Sequence, residues 1–184
     1  DMESLLKNNR ASKGEPSYIG VVHRLDQPVE GVMVFAKTKE AASDMSRQVQ
    51  MKEADKFYYA VTDGVPVEKT GSLEDYLLRD GRTNTSKVVK EGTAGAKKAR
   101  LSYEVIAEDG THAILKIQLD TGRHHQIRVQ LAHAGYPIVG DRKYNADSSS
   151  TLGDHLKLCS YKIGFVHPKT HKKMEFEIEN PYAC

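Results

Sequence analysis

The chain has 184 residues, enough for one domain with a real core and short for two comfortable ones, so a single site is expected. With 39% hydrophobic and 28% charged residues, and only 14 Gly and 6 Pro, the composition excludes a disordered or fibrous protein. A net charge of +2 does not by itself ask for nucleic acid, and no apolar run approaches the roughly 18 residues that span a bilayer, so no membrane partner is expected.

In chain order, residues 1–16 are polar and read as a helix fragment followed by a loop with Gly14 and Pro16. The start, DMESLLKNNR, lacks the basic-then-apolar order of a signal peptide, and a cytoplasmic location is expected. Because it opens on Asp rather than Met, the chain reads as beginning inside a longer product. Residues 18–22 and 31–36 are short apolar runs, rich in β-branched and aromatic residues, and are expected to be two strands. Between them lies His23-Arg24-Leu25-Asp26-Gln27-Pro28. Thr38 is suited to cap a helix carrying Ala41, Ala42, Met45 and Val49 on one side, and residues 56–61 return to strand character.

Ala99, Leu101, Tyr103 and Val105 alternate with polar residues, as do Ala113, Leu115, Ile117 and Leu119. With Asp109-Gly110 between the two runs, a hairpin is expected. The second strand leads into Thr121-Gly122-Arg123-His124-His125-Gln126-Ile127-Arg128. Ile127, Leu131 and Ala134 then recur at helical spacing and Gly135 supplies a stop, which places Arg128 early on a short helix. Tyr161, Ile163 and Phe165, followed by Phe176 and Ile178, suggest a last hairpin. Strands dominate and helices come singly, so the fold class is α+β, a mixed and largely antiparallel central sheet flanked by a few helices.

Charge is unevenly placed. Residues 79–100 hold seven Lys or Arg against Asp80 and Glu91, and residues 123–143 hold four against Asp141, leaving the remainder strongly acidic. A clustered basic face suits a phosphate backbone, because counterion release rewards grouped cations. The plainer alternative is a solvated Lys-rich hairpin.

Asp26, taken by position, suits a turn residue or an arginine partner as well as a nucleophile. Arg123 and Arg128 sit in a strand-to-helix junction, where guanidinium forks and backbone N–H groups favour anions. An adjacent cation would keep Asp26 ionised and ready to attack. His124, His125 and His133 fit no metal spacing, and no metal is expected. Neither a Gly-x-Ser-x-Gly elbow nor a glycine-rich phosphate loop is present, so no nucleotide cofactor is expected. Cys159 and Cys184 form no CxxC pair, which argues against a disulfide scaffold or a structural zinc.

Three segments together resemble the RluA family of RNA pseudouridine synthases. The first is His23-Arg24-Leu25-Asp26 with Gly31 and the apolar strand beyond it. The second is Lys56-Phe57-Tyr58-Tyr59-Ala60-Val61 with Gly64. The third is Thr121-Gly122-Arg123-His124-His125-Gln126-Ile127-Arg128, followed by Gly135, Pro137, Gly140-Asp141 and Tyr144. The likeness runs over about residues 20–180.

The resemblance implies a single catalytic domain over residues 1–184 that isomerises a uridine to pseudouridine in ribosomal or transfer RNA. It implies no cofactor, and the expected assembly is a monomer. It implies Asp26 as nucleophile, Tyr58 stacked on the target base with a part in proton removal, and Arg128 paired with Asp26. Arg24 would help displace the flipped nucleotide. His23, Arg123, His125 and Gln126 would support the motif or touch RNA, and Ile163 or a neighbour would close the pocket.

The turn after Asp26 departs from the family's Ser-Gly form, and its Glu30 reads as a solvated turn residue. No Lys-Pro-x-Gly strand precedes Tyr18, and no S4-type module is expected. Two other readings stay open: an RNA-binding module without catalysis, and a hydrolase using Asp26 with Glu30 as its second carboxylate.

Overall fold

The computed structural model describes residues 1–51, 53–146 and 155–183. Cys184 lies outside the described residues. Elements in chain order are α1 (Met2–Ser12), β1 (Gly20–Val21), β2 (Glu30–Gly31), β3 (Phe35–Ala36), α2 (Lys39–Gln50), β4 (Asp55–Asp63), β5 (Thr70–Asp80), β6 (Thr85–Val89), β7 (Lys97–Glu108), β8 (His112–Leu119), α3 (Gln126–His133), β9 (Leu158–Val166) and β10 (Lys173–Glu177). One large sheet runs in the order β10-β9-β4-β8-β7-β5-β6, every neighbour pair antiparallel, with β2 added to β9 in parallel. The α+β expectation holds.

The β7–β8 hairpin forms where alternation places it. Leu101, Leu115 and Ile117 are fully buried on one face, and the Asp109 carboxylate accepts the N–H groups of Thr111 and His112 at the turn. With Tyr58, Ala60, Ile127, Leu131 and Leu158 these residues make the main core, which lies between the sheet and α3. Helix α2 begins as expected, with the Thr38 hydroxyl accepting the Ala41 N–H. It packs on β1, β3 and β9 over a second cluster of Met45, Ala54, Ile163 and Phe165. Helix α1 has no buried residue and takes no part in either core.

Two expectations are corrected. The apolar run 31–36 is not one strand: Gly31 ends a two-residue pairing with β9, the chain leaves the sheet, and Phe35 and Ala36 then pair with β1. Glu30 therefore belongs to β2 rather than to a turn, and it is exposed. Strands β5 and β6 were not anticipated from sequence, because β5 shows mixed burial along TGSLEDYLLRD and exposes charges on both sides of its few apolar residues. The basic segment 79–100 is indeed a hairpin edge of the sheet, and all seven of its cations are exposed.

Candidate active site

The loop between β1 and β2 is held by a neutral histidine. His23 Nε2 accepts the Val34 N–H at 3.1 Å, and burial, helped by Lys56, pushes its pKa down to about 4. His23 thus anchors the loop instead of offering a charge to a ligand. A short bond from the Val29 N–H to the Asp26 carbonyl, 2.6 Å, closes the turn, and Leu25 and Val29 pack onto the main core. The Asp26 carboxylate, 37% exposed, then faces a cavity of about 270 Å³. Arg24 and Asp26 form one wall, Lys56 and Tyr58 of β4 the floor, and residues 122, 123 and 125–128 the opposite wall.

That opposite wall is built by Gln126. Its side-chain oxygen accepts from the Thr121 hydroxyl and the Arg123 N–H, and its amide donates to the Arg100 carbonyl. Both polar atoms of the Gln126 side chain are engaged, the oxygen twice and the amide nitrogen through one of its two N–H groups, so it fixes the turn. Arg123 donates from Nε to the Lys98 carbonyl at 2.9 Å, which ties the wall to β7. His125 takes a left-handed conformation, φ 53°, as the residue before α3. Such a backbone in a non-glycine residue is uncommon and concentrates at functional sites. It turns the imidazole toward Asp26, with Nε2 at 3.9 Å from the carboxylate.

Arg128 lines the same cavity but does not pair with Asp26 as expected. Its Nε and Nη2 form a bidentate bond to Asp141, 2.8 and 2.7 Å, deep in the protein. The Lys143 N–H adds a third bond to Asp141, and the Arg128 guanidinium lies 5.2 Å over the Tyr144 ring. A planar fork prefers a carboxylate it meets square-on, and Asp141, fixed on the following turn, supplies one. Burial works against the Arg128 charge, but Asp141 first and Asp26 after it hold its pKa above the usual value. Its Nη1 is buried with no protein partner and belongs to the residue that lines the cavity beside Asp26. The two N–H groups of one nitrogen on a fixed cation are therefore left without a protein acceptor.

Tyr58 is 8% exposed and embedded in the main core, so only part of its ring is presented to the cavity. Burial raises its pKa to about 12, with Ser160 opposing and Asp26 adding to the rise. The phenol keeps its proton near neutral pH and starts as a flat, neutral surface rather than a ready base.

Ile163 is not in the cavity: it packs with Met45, Ala54 and Phe165, behind Val22 and Val49. Leu158, five residues earlier on β9, is the apolar side chain that strand contributes. A bulge in β9, where the register against β4 shifts between Phe57 and Tyr58, sets Tyr58 opposite Ser160 and Lys56 opposite Ile163.

Lys56, Asp141 and Tyr144 are site residues to which sequence reading assigned no role. All three stand inside the quoted motifs, so the signal was present without a chemistry attached to it. Lys56 is largely buried, and desolvation lowers its pKa.

Among the lining residues Asp26 is the only carboxylate, and Glu30 is not among them. A two-carboxylate glycosidase arrangement is thus absent from this cavity. No group of three or more His, Cys, Asp or Glu among the described residues is placed to hold a metal ion. What the cavity combines is one accessible carboxylate, a cation with an unused donor, an aromatic floor and apolar sides. That set suits addition of a carboxylate to an electrophilic carbon in a partly dry pocket.

Comparison with known proteins agrees. Residues 1–133 match the family described as RNA pseudouridylate synthase. An uncharacterized RNA pseudouridine synthase of Aquifex aeolicus is 37% identical over 172 residues, which is 88% of this chain and 53% of that protein. The dual-specificity RNA pseudouridine synthase RluA of Vibrio parahaemolyticus is 34% identical over 156 residues, 83% of this chain and 62% of that protein. The chain spans about half to three fifths of the length of such curated relatives. Human RNA pseudouridylate synthase domain containing 4 superposes with a TM-score of 0.79 at 23% identity, over 98% of this chain and 77% of that one, which establishes a shared fold. The motifs, the large mixed sheet and the family match over residues 1–133 agree, and the chain belongs to the RNA pseudouridylate synthase family.

Proposed function

We propose that this domain converts a uridine in structured RNA to pseudouridine, with Asp26 as the nucleophile acting on a nucleotide flipped out of its stack. The observation that carries the proposal is a lone, accessible carboxylate in a cavity floored by Tyr58 and flanked by Arg128. Isomerisation breaks the N1–C1′ bond of uridine and joins C5 to C1′, with no atom gained or lost. The chemistry thus needs no cofactor, only a carboxylate able to attack the sugar or the base, or to assist loss of the C2′ proton, and walls that retain the detached uracil. A flipped base costs a few kcal/mol of lost stacking, which an aromatic floor and phosphate contacts offset. Arg24, exposed at the cavity mouth, is suited to fill the space the nucleotide leaves. The relatives' names include a ribosomal large subunit synthase of Neisseria meningitidis and a dual-specificity RNA enzyme, which supports a structured RNA, ribosomal RNA first, as substrate.

The test incubates the protein with transcribed ribosomal and transfer RNA and maps pseudouridine by carbodiimide-blocked primer extension. Asp26→Asn, nearly isosteric, is expected to fold normally and to give no product. Wild-type activity in that variant removes Asp26 from the chemistry. RNA binding without product from the wild-type domain on every RNA tried supports a non-catalytic binding module instead.

A further inference from the structure

Behind Asp26 lies a chain of hydrogen-bonding groups that ends on the basic hairpin. The Ser86 N–H of β6 donates to the Tyr144 hydroxyl oxygen at 2.7 Å. That oxygen is 2.8 Å from His125 Nδ1, and His125 Nε2 is 3.9 Å from Asp26 Oδ2. The geometry points to Tyr144 as a positioning residue: by donating to Nδ1 it fixes His125 as the Nε2–H tautomer, whose N–H is aimed at the Asp26 carboxylate. The inference rests on Asp26 being the reacting group.

The direction of each bond follows from counting protons. A backbone N–H only donates, so the Tyr144 oxygen accepts from Ser86 and its single O–H is free to donate. His125 Nδ1 is the acceptor within reach. A neutral imidazole that accepts at Nδ1 carries its proton on Nε2, the atom that faces Asp26. The opposite tautomer would set a nitrogen lone pair against a carboxylate and leave the Tyr144 proton with no acceptor among its described contacts. His125 is held neutral: burial first, then Arg128, His124 and Lys143, push its pKa down to about 3 against the opposing pull of Asp141. Asp26 and His125 are thus a carboxylate facing an N–H dipole and not an ion pair. Closure by about 1 Å would make that contact an ordinary hydrogen bond, as is usual when a site tightens on its substrate.

The phenol is itself locked. Its ring meets the His125 ring edge-on, 5.6 Å between centroids, and lies beneath the Arg128 guanidinium. The Tyr144 backbone N–H donates to the same Asp141 that holds Arg128. Ser86 also ties in His124: its Oγ donates to the His124 carbonyl at 2.9 Å and lies 2.9 Å from His124 Nδ1. The orientation of the acid is therefore tied to β6, one strand of the hairpin that carries the exposed cations.

The test reads the tautomer directly, on histidine labelled with nitrogen-15, by long-range proton–nitrogen correlation at pH 7. The wild-type domain is expected to show His125 protonated on Nε2 alone. An Nδ1–H tautomer in the folded wild type overturns the proposal, and this measurement depends on no turnover, so it stands apart from the pseudouridine assay. Tyr144→Phe, which keeps the ring, is expected to mix the tautomers. It should also slow single-turnover conversion about 10- to 100-fold, the worth of one hydrogen bond to a charged group. RNA affinity should change less than about 2-fold if the hydroxyl acts only through His125. A Tyr144→Phe protein with an unchanged tautomer and rate also overturns it. In a His125→Gln background, where the amide can donate to Asp26 unaided, adding Tyr144→Phe is expected to cost nothing further, whereas an undiminished second loss means Tyr144 acts elsewhere.

Discussion

At the scale of single residues, the site is arranged around groups kept neutral. His23 and His125 are held well below the ordinary histidine value, to about 4 and about 3, by burial first. A histidine whose folded pKa is depressed is less protonated folded than unfolded, so the unfolded chain gains protons as pH falls from about 6.5 toward 4. Their contribution to stability is fully present above pH 6.5 and is lost through that window. Between pH 7 and pH 5 the domain should lose on the order of 2 kcal/mol from the two together, after allowing for their partial exposure. Thermal melts across this range measure it, and a melting temperature flat from pH 7 to 5 contradicts the neutral assignment. The groups facing His125 in this titration are Arg128, His124, Lys143, Asp141 and Asp26.

Among elements, the two-residue strand β2 sets where the Asp26 loop ends. Gly31 has φ +127°, and a Cβ there would sit 2.1 Å from the Ser160 carbonyl oxygen of β9. Only glycine permits that backbone and that approach together. Gly31→Ala is expected to destabilise the domain by about 2–4 kcal/mol, read as a lower denaturant midpoint at unchanged slope. Because β2 moves with the loop, residual turnover should fall further than the folded fraction does. An alanine variant of wild-type midpoint means β2 is not fixed on β9 in solution. Helix α3 shows the same dependence on a neighbour from the other side. Its sequence predicts a short helix starting near Arg128, and the structure agrees, but its buried residues include Gln126, Arg128 and Gln130 as well as the apolar ones. Polar side chains are stable there because β7 carbonyls, Asp75 and Asp141 supply their partners.

Across the whole molecule, charge is segregated. The cations of the β5–β7 edge are exposed, with Lys98 and Arg100 paired to Glu74 and Asp120, while Lys143 reaches back to the Asn84 carbonyl. If this edge tracks an RNA backbone, affinity should fall linearly with the logarithm of salt. Lys87→Gln and Lys90→Gln should each reduce that slope by about 1 and weaken all RNAs alike. Filter binding at several salt concentrations checks this, and an unchanged slope in both variants places the RNA elsewhere.

What was readable from the amino acids alone was whatever is local. Strand character over residues 56–61 located β4 and alternation the β7–β8 hairpin, Thr38 and Gly135 marked helix ends, and the motifs around Asp26, Tyr58 and Arg128 identified residues that do border one cavity. Partnership between distant groups was decided by the tertiary structure. Arg128 meets Asp141 rather than Asp26 because the turn after α3 returns a carboxylate to the guanidinium. Leu158 rather than Ile163 lines the cavity because Ile163 is taken up by the cluster of Met45, Ala54 and Phe165 under α2. Register and hydrogen-bond direction are properties of two segments at once, and neither is written in the periodicity of one.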